Sequence, residues 1–185
     1  MAKNWKIRKD LSIEFYGHTL FRIECTQDFK EIKAGTLGGY IEKEENLDGN
    51  AWVYDDAKVF GNALVSGDAQ VYGNARVYGD AQVYGNARVY GNAQVFGDAQ
   101  VYGDKITNKD DICYISNRYY NITITPLHIK IGCQYHAQEA WWNFTNEQIE
   151  KMDGESALNF WKIWKEPLKQ ICDAMKKEKG EKDVK

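Results

Sequence analysis

Three residues in the second half of the chain, His128, Cys133 and His136, have the types and rough spacing of a zinc site. Two imidazoles and a thiolate can hold Zn2+ and leave a fourth position for water, the open arrangement of catalytic zinc. The stretch "LHIKIGCQYH" does not let all three converge. His128 and Cys133 lie five apart along a strand pattern, and side chains alternate on a strand, so the two point to opposite faces. Only Cys133 and His136 remain as a pair that can meet. As nucleophile and base they lack a third group to orient the imidazole. The reading is a buried, structural Cys and a His at a helix start, with no metal, no cofactor and no catalytic residue. The remaining histidine, His18, follows Gly17 where two alternating runs meet, "LSIEFYG" and "HTLFRIEC". It reads as a solvent residue at the turn of a β-hairpin.

The elements that must position any chemistry are set by a repeat. "GNARVYGDAQVYGNARVYGNAQVFGDAQVYGD" runs from Gly73 to Asp104. Val recurs every six residues from Val53 to Val101, except that the same phase is kept by Ile41 and Leu47 upstream, and Ala recurs every six from Ala51 to Ala99. Ala-x-Val-Tyr alternates as a short strand does, with Ala and Val on one side and the variable residue and Tyr on the other. Gly followed by Asn or Asp supplies a sharp corner. A short strand and a corner of constant length wind into a coil, and stacked coils share one narrow core that a single coil cannot make.

This array, residues 37–104, resembles the hexapeptide-repeat proteins, whose motif is an aliphatic residue, a small residue four later and a six-residue step. The resemblance implies a left-handed parallel β-helix with three hexads per triangular coil. The chain departs from the family in placing Tyr after the aliphatic residue, where Gly is common. The period of six excludes the pentapeptide-repeat helix. Three hexads per coil stack residues eighteen apart. Tyr54, Tyr72 and Tyr90 then form one outward column, Phe60, Tyr78 and Phe96 a second, and Ser66, Tyr84 and Tyr102 a third. A corner column of Asn50, Asp68, Asn86 and Asp104 alternates amide and carboxylate, which spares like charges from stacking directly. Asp80 above Asp98 breaks that alternation and reads as two solvated carboxylates.

The expected fold class is mainly β: an N-terminal β-hairpin cap at 1–36, the hexapeptide β-helix at 37–104 and a C-terminal α/β cap at 105–185. In the last segment "DICYISN" and "YNITITPLHIKIGC" read as strands, and Thr145 with Gln148 as a capping box opening a helix. Leu158, Trp161, Leu168, Ile171, Cys172 and Met175 share one helical face. Pro167 is expected to kink or split that helix, and the tail "KKEKGEKDVK" to be disordered. The tryptophans Trp141, Trp142, Trp161 and Trp164 read as core.

Net charge is −3, which gives no general pull toward nucleic acid or anionic membrane. Residues 48–104 carry seven Asp against three Lys or Arg, which argues further against nucleic acid. No apolar run approaches the ~18 residues of a membrane span, and "MAKNWKIRKDLSIEF" has no apolar segment of a secretory signal. Cys25, Cys113, Cys133 and Cys172 are widely spaced without a CxxC, which reads as free thiols in a reducing cytoplasm.

Many hexapeptide-repeat proteins are acyltransferases that use a His beside the coils as general base and a loop that interrupts the array. This array holds no His and no inserted loop, so a hexapeptide-family acyl- or nucleotidyltransferase stands as the alternative reading, and a component of a virion or of its assembly as another. The flanks "KAGTLGGYIEKEENL" and "IGCQYHAQEAWWNF" look like those of small phage and prophage proteins with hexapeptide repeats. That resemblance implies a phage or mobile-element protein acting in the host bacterial cytoplasm. The expected function is non-enzymatic binding of a host or phage protein, with inhibition of a host defence system as a role. Tyr54, Tyr72, Tyr78, Tyr84, Tyr90, Phe96 and Tyr102, flanked by Arg76 and Arg88, are the candidate binding surface, because exposed apolar patches mark contact sites and Tyr is favoured there. The other reading of the same columns, that stacked rings shield the ladder, stays open. A homo-oligomer, dimer or trimer, is expected, with Leu158, Trp161, Ile171 and Met175 as its contact.

Overall fold

The computed structural model describes residues 3–182, with side chains to Lys177. The chain folds as two compact units, Met1–Ile112 and Cys113–Lys185.

The first unit opens with the hairpin that alternation around Gly17 predicts. Strand Trp5–Phe15 runs antiparallel to His18–Cys25, with Phe15 opposite His18. Tyr16 and Gly17 make the two-residue turn at φ 49° and 81°, the positive pair that matches strand twist. His18–Cys25 then pairs antiparallel with Leu37–Ile41. The other edge of Leu37–Ile41 pairs parallel with the first repeat strand on that face, Ile41 with Val59. The hairpin therefore covers what would be an open edge at the start of the array.

From there the array is a parallel β-solenoid of about four turns. Its strands are two or three residues long and pair eighteen residues apart. One ladder carries Ile41, Val59, Val77 and Val95. A second carries Val53, Val71 and Val89, and the third Leu47, Val65, Val83 and Val101. Backbone amides of one coil donate to carbonyls of the next, as in Gln70 N to Ala87 O (3.0 Å) and Tyr72 N to Val89 O (2.9 Å). Every Val and Ala of the repeat is buried, which is the inward half of the alternation. The ladder extends past Asp104: Lys105–Ile106 pairs with Arg88–Val89 at a step one residue shorter.

The array starts with an irregular corner that the period does not announce. The hexad of Ile41 lacks Ala and Gly and instead holds a 3-10 turn, Glu44–Asn46. Asn46 is completely buried there. Its Oδ1 accepts from the amides of Glu42 (3.2 Å) and Lys43 (2.9 Å), and its Nδ2 donates to the carbonyls of Gly61 (3.1 Å) and Ala63 (2.8 Å). All the capacity of a buried amide is used, which is the condition for burying one at low cost.

The second unit is an antiparallel sheet followed by helices. Its strands, Cys113–Ile115, Ile122–Ile124, His128–Ile131 and Gln134–Ala137, pair in that order. A short helix, Gln138–Asn143, leads to a long one, Asn146–Lys182. Thr145 and Gln148 form the expected capping box: Gln148 Oε1 accepts from the Thr145 amide (2.8 Å) and Thr145 Oγ1 from the Gln148 amide (3.3 Å). Trp141, Ile149, Phe160, Trp161, Leu168 and Cys172 pack with the sheet's isoleucines into one core.

Two expectations for this helix are corrected. Non-helical torsions fall at Asp153 and Gly154, not at Pro167. Pro167 is exposed, as is Ile163 one turn before it, so water can satisfy the carbonyl that loses its partner. The helix also continues through the tail to Lys182, and residues 183–185 lie outside the described residues. Among the described residues no helix is long and apolar enough to cross a membrane.

Candidate interaction surface

The outward residue after each Val is placed by the strand, and the next coil places its copy directly above. Tyr54, Tyr72 and Tyr90 stack with ring centroids 5.1 and 5.8 Å apart. Phe60, Tyr78 and Phe96 follow at 5.2 and 5.6 Å with nearly parallel planes. Tyr84 and Tyr102 stand at 5.1 Å. The three columns form where an eighteen-residue step requires them.

Where the residue before Val is Gln70, Gln94 or Gln100, its amide meets a ring hydroxyl. Tyr72 Oη donates to Gln70 Oε1 (3.0 Å) and Tyr78 Oη to Gln94 Oε1 (3.2 Å), while Gln70 Nε2 donates to Tyr54 Oη (3.4 Å). Burial, with neighbouring rings second, pushes the Tyr54 and Tyr84 phenols above their ordinary range, and burial pushes up Tyr72. The hydroxyls stay protonated and free to donate. Rings and glutamines together make a ladder whose side chains hold one another in place. Its outer members are still open: Phe96 is 43% exposed and Tyr102 47%.

The hairpin adds to one of these faces, a contribution not readable from the repeat. Phe15 packs edge-on against Phe60 (5.7 Å). Arg76 lies over Phe15 (5.1 Å) and over Tyr16 (5.8 Å), and Lys58 over Phe15 (5.2 Å). Tyr16, at the tip, is 75% exposed. Arg22 sits 4.4 Å from the Tyr40 ring and donates to the Gly38 and Asp55 carbonyls and to Asp56. His18 is engaged: its Nδ1 is 2.9 Å from Glu42 Oε1 and its ring 5.1 Å from Phe60. The signal in the sequence was Tyr-Gly between alternating runs, which gives the turn but not where its tip lands. Arg88 remains an exposed cation on the second ladder, and Lys105 lies 5.1 Å from the Tyr90 ring.

In the other unit the structure separates the candidate ligands. Two expectations are corrected: Cys133 is exposed in the turn between strands, not buried, and His136 lies within strand Gln134–Ala137, ahead of the helix that starts at Gln138, where it packs edge-on to Trp141 (5.2 Å) and Phe144 (5.0 Å). Burial pushes the His136 imidazole below its ordinary value. Gln134 stands between them, its Oε1 3.2 Å from His136 Nε2 and its Nε2 3.8 Å from Cys133 Sγ. His128 stacks on Tyr135 instead (4.7 Å). Among the described residues no group of three or more His, Cys, Asp or Glu side chains is placed to hold a metal. Asp80 accepts from Asn62 Nδ2 (3.2 Å) in its corner column, and Asp68 pairs with Lys30 (3.0 Å). Of the helical residues expected to carry self-contact, Trp161 is buried in its own unit, with Ile171 and Met175 packed against the same core and Leu158 half-buried.

A family model described as the YdcK Beta solenoid repeat matches residues 69–81 and 81–97, within the regular part of the array. No curated protein matches the chain.

Proposed function

We propose that this is a non-enzymatic binding protein whose outward aromatic columns contact another protein. The observation that carries the reading is the ladder itself: rings 5 to 6 Å apart, hydrogen-bonded through their glutamines and ending in exposed Phe96 and Tyr102. Rigid aromatic side chains bury large area at small entropic cost, the quality that suits them to interfaces. Arg76 and Lys58 beside Phe15 and Tyr16 extend the same face with cations held over rings. The resemblance of the flanks supports a phage or mobile-element source and a partner in the host cytoplasm, and inhibition of a host defence is the role that fits such a protein.

The test changes Tyr72, Tyr78 and Tyr90 to Ser together. Proteins captured from infected cells by the parent and by the variant are compared by mass spectrometry, and both proteins are melted. A partner lost with an unchanged Tm supports the binding surface. A lowered Tm with the partner retained assigns the columns to shielding the ladder and overturns the proposal.

A further inference from the structure

The C-terminal unit contains a cavity that its core does not need. About 180 Å3 lies between Tyr120, Ile131, Trp141, Ile149, Met152, Phe160 and Trp161, with Ala157 at its wall. A void that size removes contacts from every side chain facing it, so a small core gains by closing it. An apolar cavity of about 150 Å3 can stay dry and accept a benzene ring. Here four aromatic side chains supply the wall.

The mouth is polar and asymmetric. Cys133 and Gln134 line it from the strand turn, and Asp153 is the one charged residue among those lining the cavity. Asp153 sits where the helix is interrupted, with Gly154 beyond it at φ 62°. Continuing the helix would satisfy more backbone. The break instead presents the Asp153 carboxylate to Tyr120, whose Oη donates to Oδ2 at 2.7 Å. A carboxylate has several lone pairs, so one such bond leaves capacity for a second donor.

We propose that this cavity binds a small aromatic molecule carrying a cationic amine, its ring enclosed among Trp141, Phe160 and Trp161 and its amine at the Asp153 carboxylate. The ring matches the aromatic wall and volume, and the charge matches the single anion at the mouth. The site lies wholly within the second unit and is independent of the aromatic columns of the solenoid.

Benzylamine is the probe, with benzyl alcohol as the neutral molecule of the same shape. Binding is read by tryptophan fluorescence, since Trp141 and Trp161 line the site, and located by protection of Cys133 from iodoacetamide, measured on its peptide. A ligand of this size is expected to bind with a dissociation constant of about 0.1–1 mM. Ala157→Leu fills the cavity and should abolish both signals while leaving the circular dichroism unchanged. Asp153→Asn should weaken benzylamine by about three- to fivefold, the worth of a partly exposed ion pair, and leave benzyl alcohol unaffected. No protection of Cys133 at about 10 mM benzylamine, some tenfold above that range, overturns the site. Unchanged binding by folded Ala157→Leu does the same, and equal weakening of amine and alcohol by Asp153→Asn overturns the assignment of charge.

Discussion

Gly49, Gly67 and Gly85 stack in one corner column, while Gly103, eighteen residues further on, stands past the last stacked corner, and the series offers an internal control for the stacking of coils. Gly67 and Gly103 have nearly the same left-handed backbone, φ 68° and 72°. Their surroundings differ. A methyl group at Gly67 would lie 3.2 Å from the Gly85 nitrogen, 3.4 Å from its oxygen and 3.5 Å from its Cα, whereas one at Gly103 meets nothing within 4 Å. Alanine in this conformation costs about 1–2 kcal/mol, and the stiffer unfolded chain returns about 0.4–1 kcal/mol. Gly103→Ala should therefore cost about 0.5–1 kcal/mol in all. Gly67→Ala carries the same terms and must also push back a coil anchored by Asp68 N to Gly85 O at 2.9 Å. Overpacking against backbone adds about 1–3 kcal/mol, so the two variants should differ by about 2 kcal/mol. Urea unfolding followed by far-ultraviolet circular dichroism measures this. With a slope of about 2 kcal/mol/M, the Gly67→Ala midpoint should fall about 1 M below that of Gly103→Ala. The slope must be shared by both variants for the comparison to hold. Equal midpoints would mean that the corners do not bear on one another, and the stacked-coil account of the array would fail with them.

Two further outcomes are expected. Light scattering at micromolar concentration should give the mass of two or three chains, because apolar rings left in water cost roughly 25 cal/mol per Å2 and closed symmetry buries them without fibres; a monomer mass refutes this. The Tyr120 phenol is pushed up to about 12, first by burial and then by its bond to Asp153, so its contribution to stability is complete below the ordinary phenol value of about 10 and is lost as pH rises toward 12. An absorbance titration of tyrosinate should show late ionisation that loses the amplitude of one tyrosine in Tyr120→Phe, and a late amplitude unchanged by the substitution refutes the assignment.

The repeat was legible because each of its letters has one physical job. Val77 and Ala75 must face inward, Tyr78 must face outward, and a fixed length of six leaves no freedom in which residue stacks on which. Features that use a letter once were not legible in that way. Asn46 stands at the position where later hexads carry an outward residue, yet it turns inward, because the corner without Gly needs its amide to satisfy four backbone groups. The helix break went to Asp153 and Gly154 instead of Pro167 for a related reason. Proline removes one hydrogen bond whose acceptor is open to water, whereas the Asp153 side chain finds a specific acceptor role with Tyr120 thirty-three residues away. Local propensity ranks the two sites one way and a tertiary contact ranks them the other. The cavity was invisible for the same cause: its wall reads as ordinary core, and only the placement of Asp153 and Cys133 shows that the core opens.

The inward letters barely change along the array, so if the protein binds a partner, as proposed, the outward ones must specify it, and these differ from face to face. The face of the first ladder carries Tyr40, Lys58, Arg76 and Gln94 in register, with Phe15 and Tyr16 of the hairpin folded over the two cations. The second carries Trp52, Gln70, Arg88 and Lys105, with Trp52 buried and packed edge-on by Phe29. The third carries Leu64, Gln82 and Gln100 and has no cation at all. A surface that served only to shield the ladder would have no reason to distinguish its three sides. Burial lowers the Lys58 ammonium below its ordinary value, so cations are kept on the first face against a desolvation cost. On the proposed binding reading, charge kept at a cost beside exposed rings suits an acidic, apolar contact, which makes the hairpin face, more than the other two, the side proposed for a protein partner.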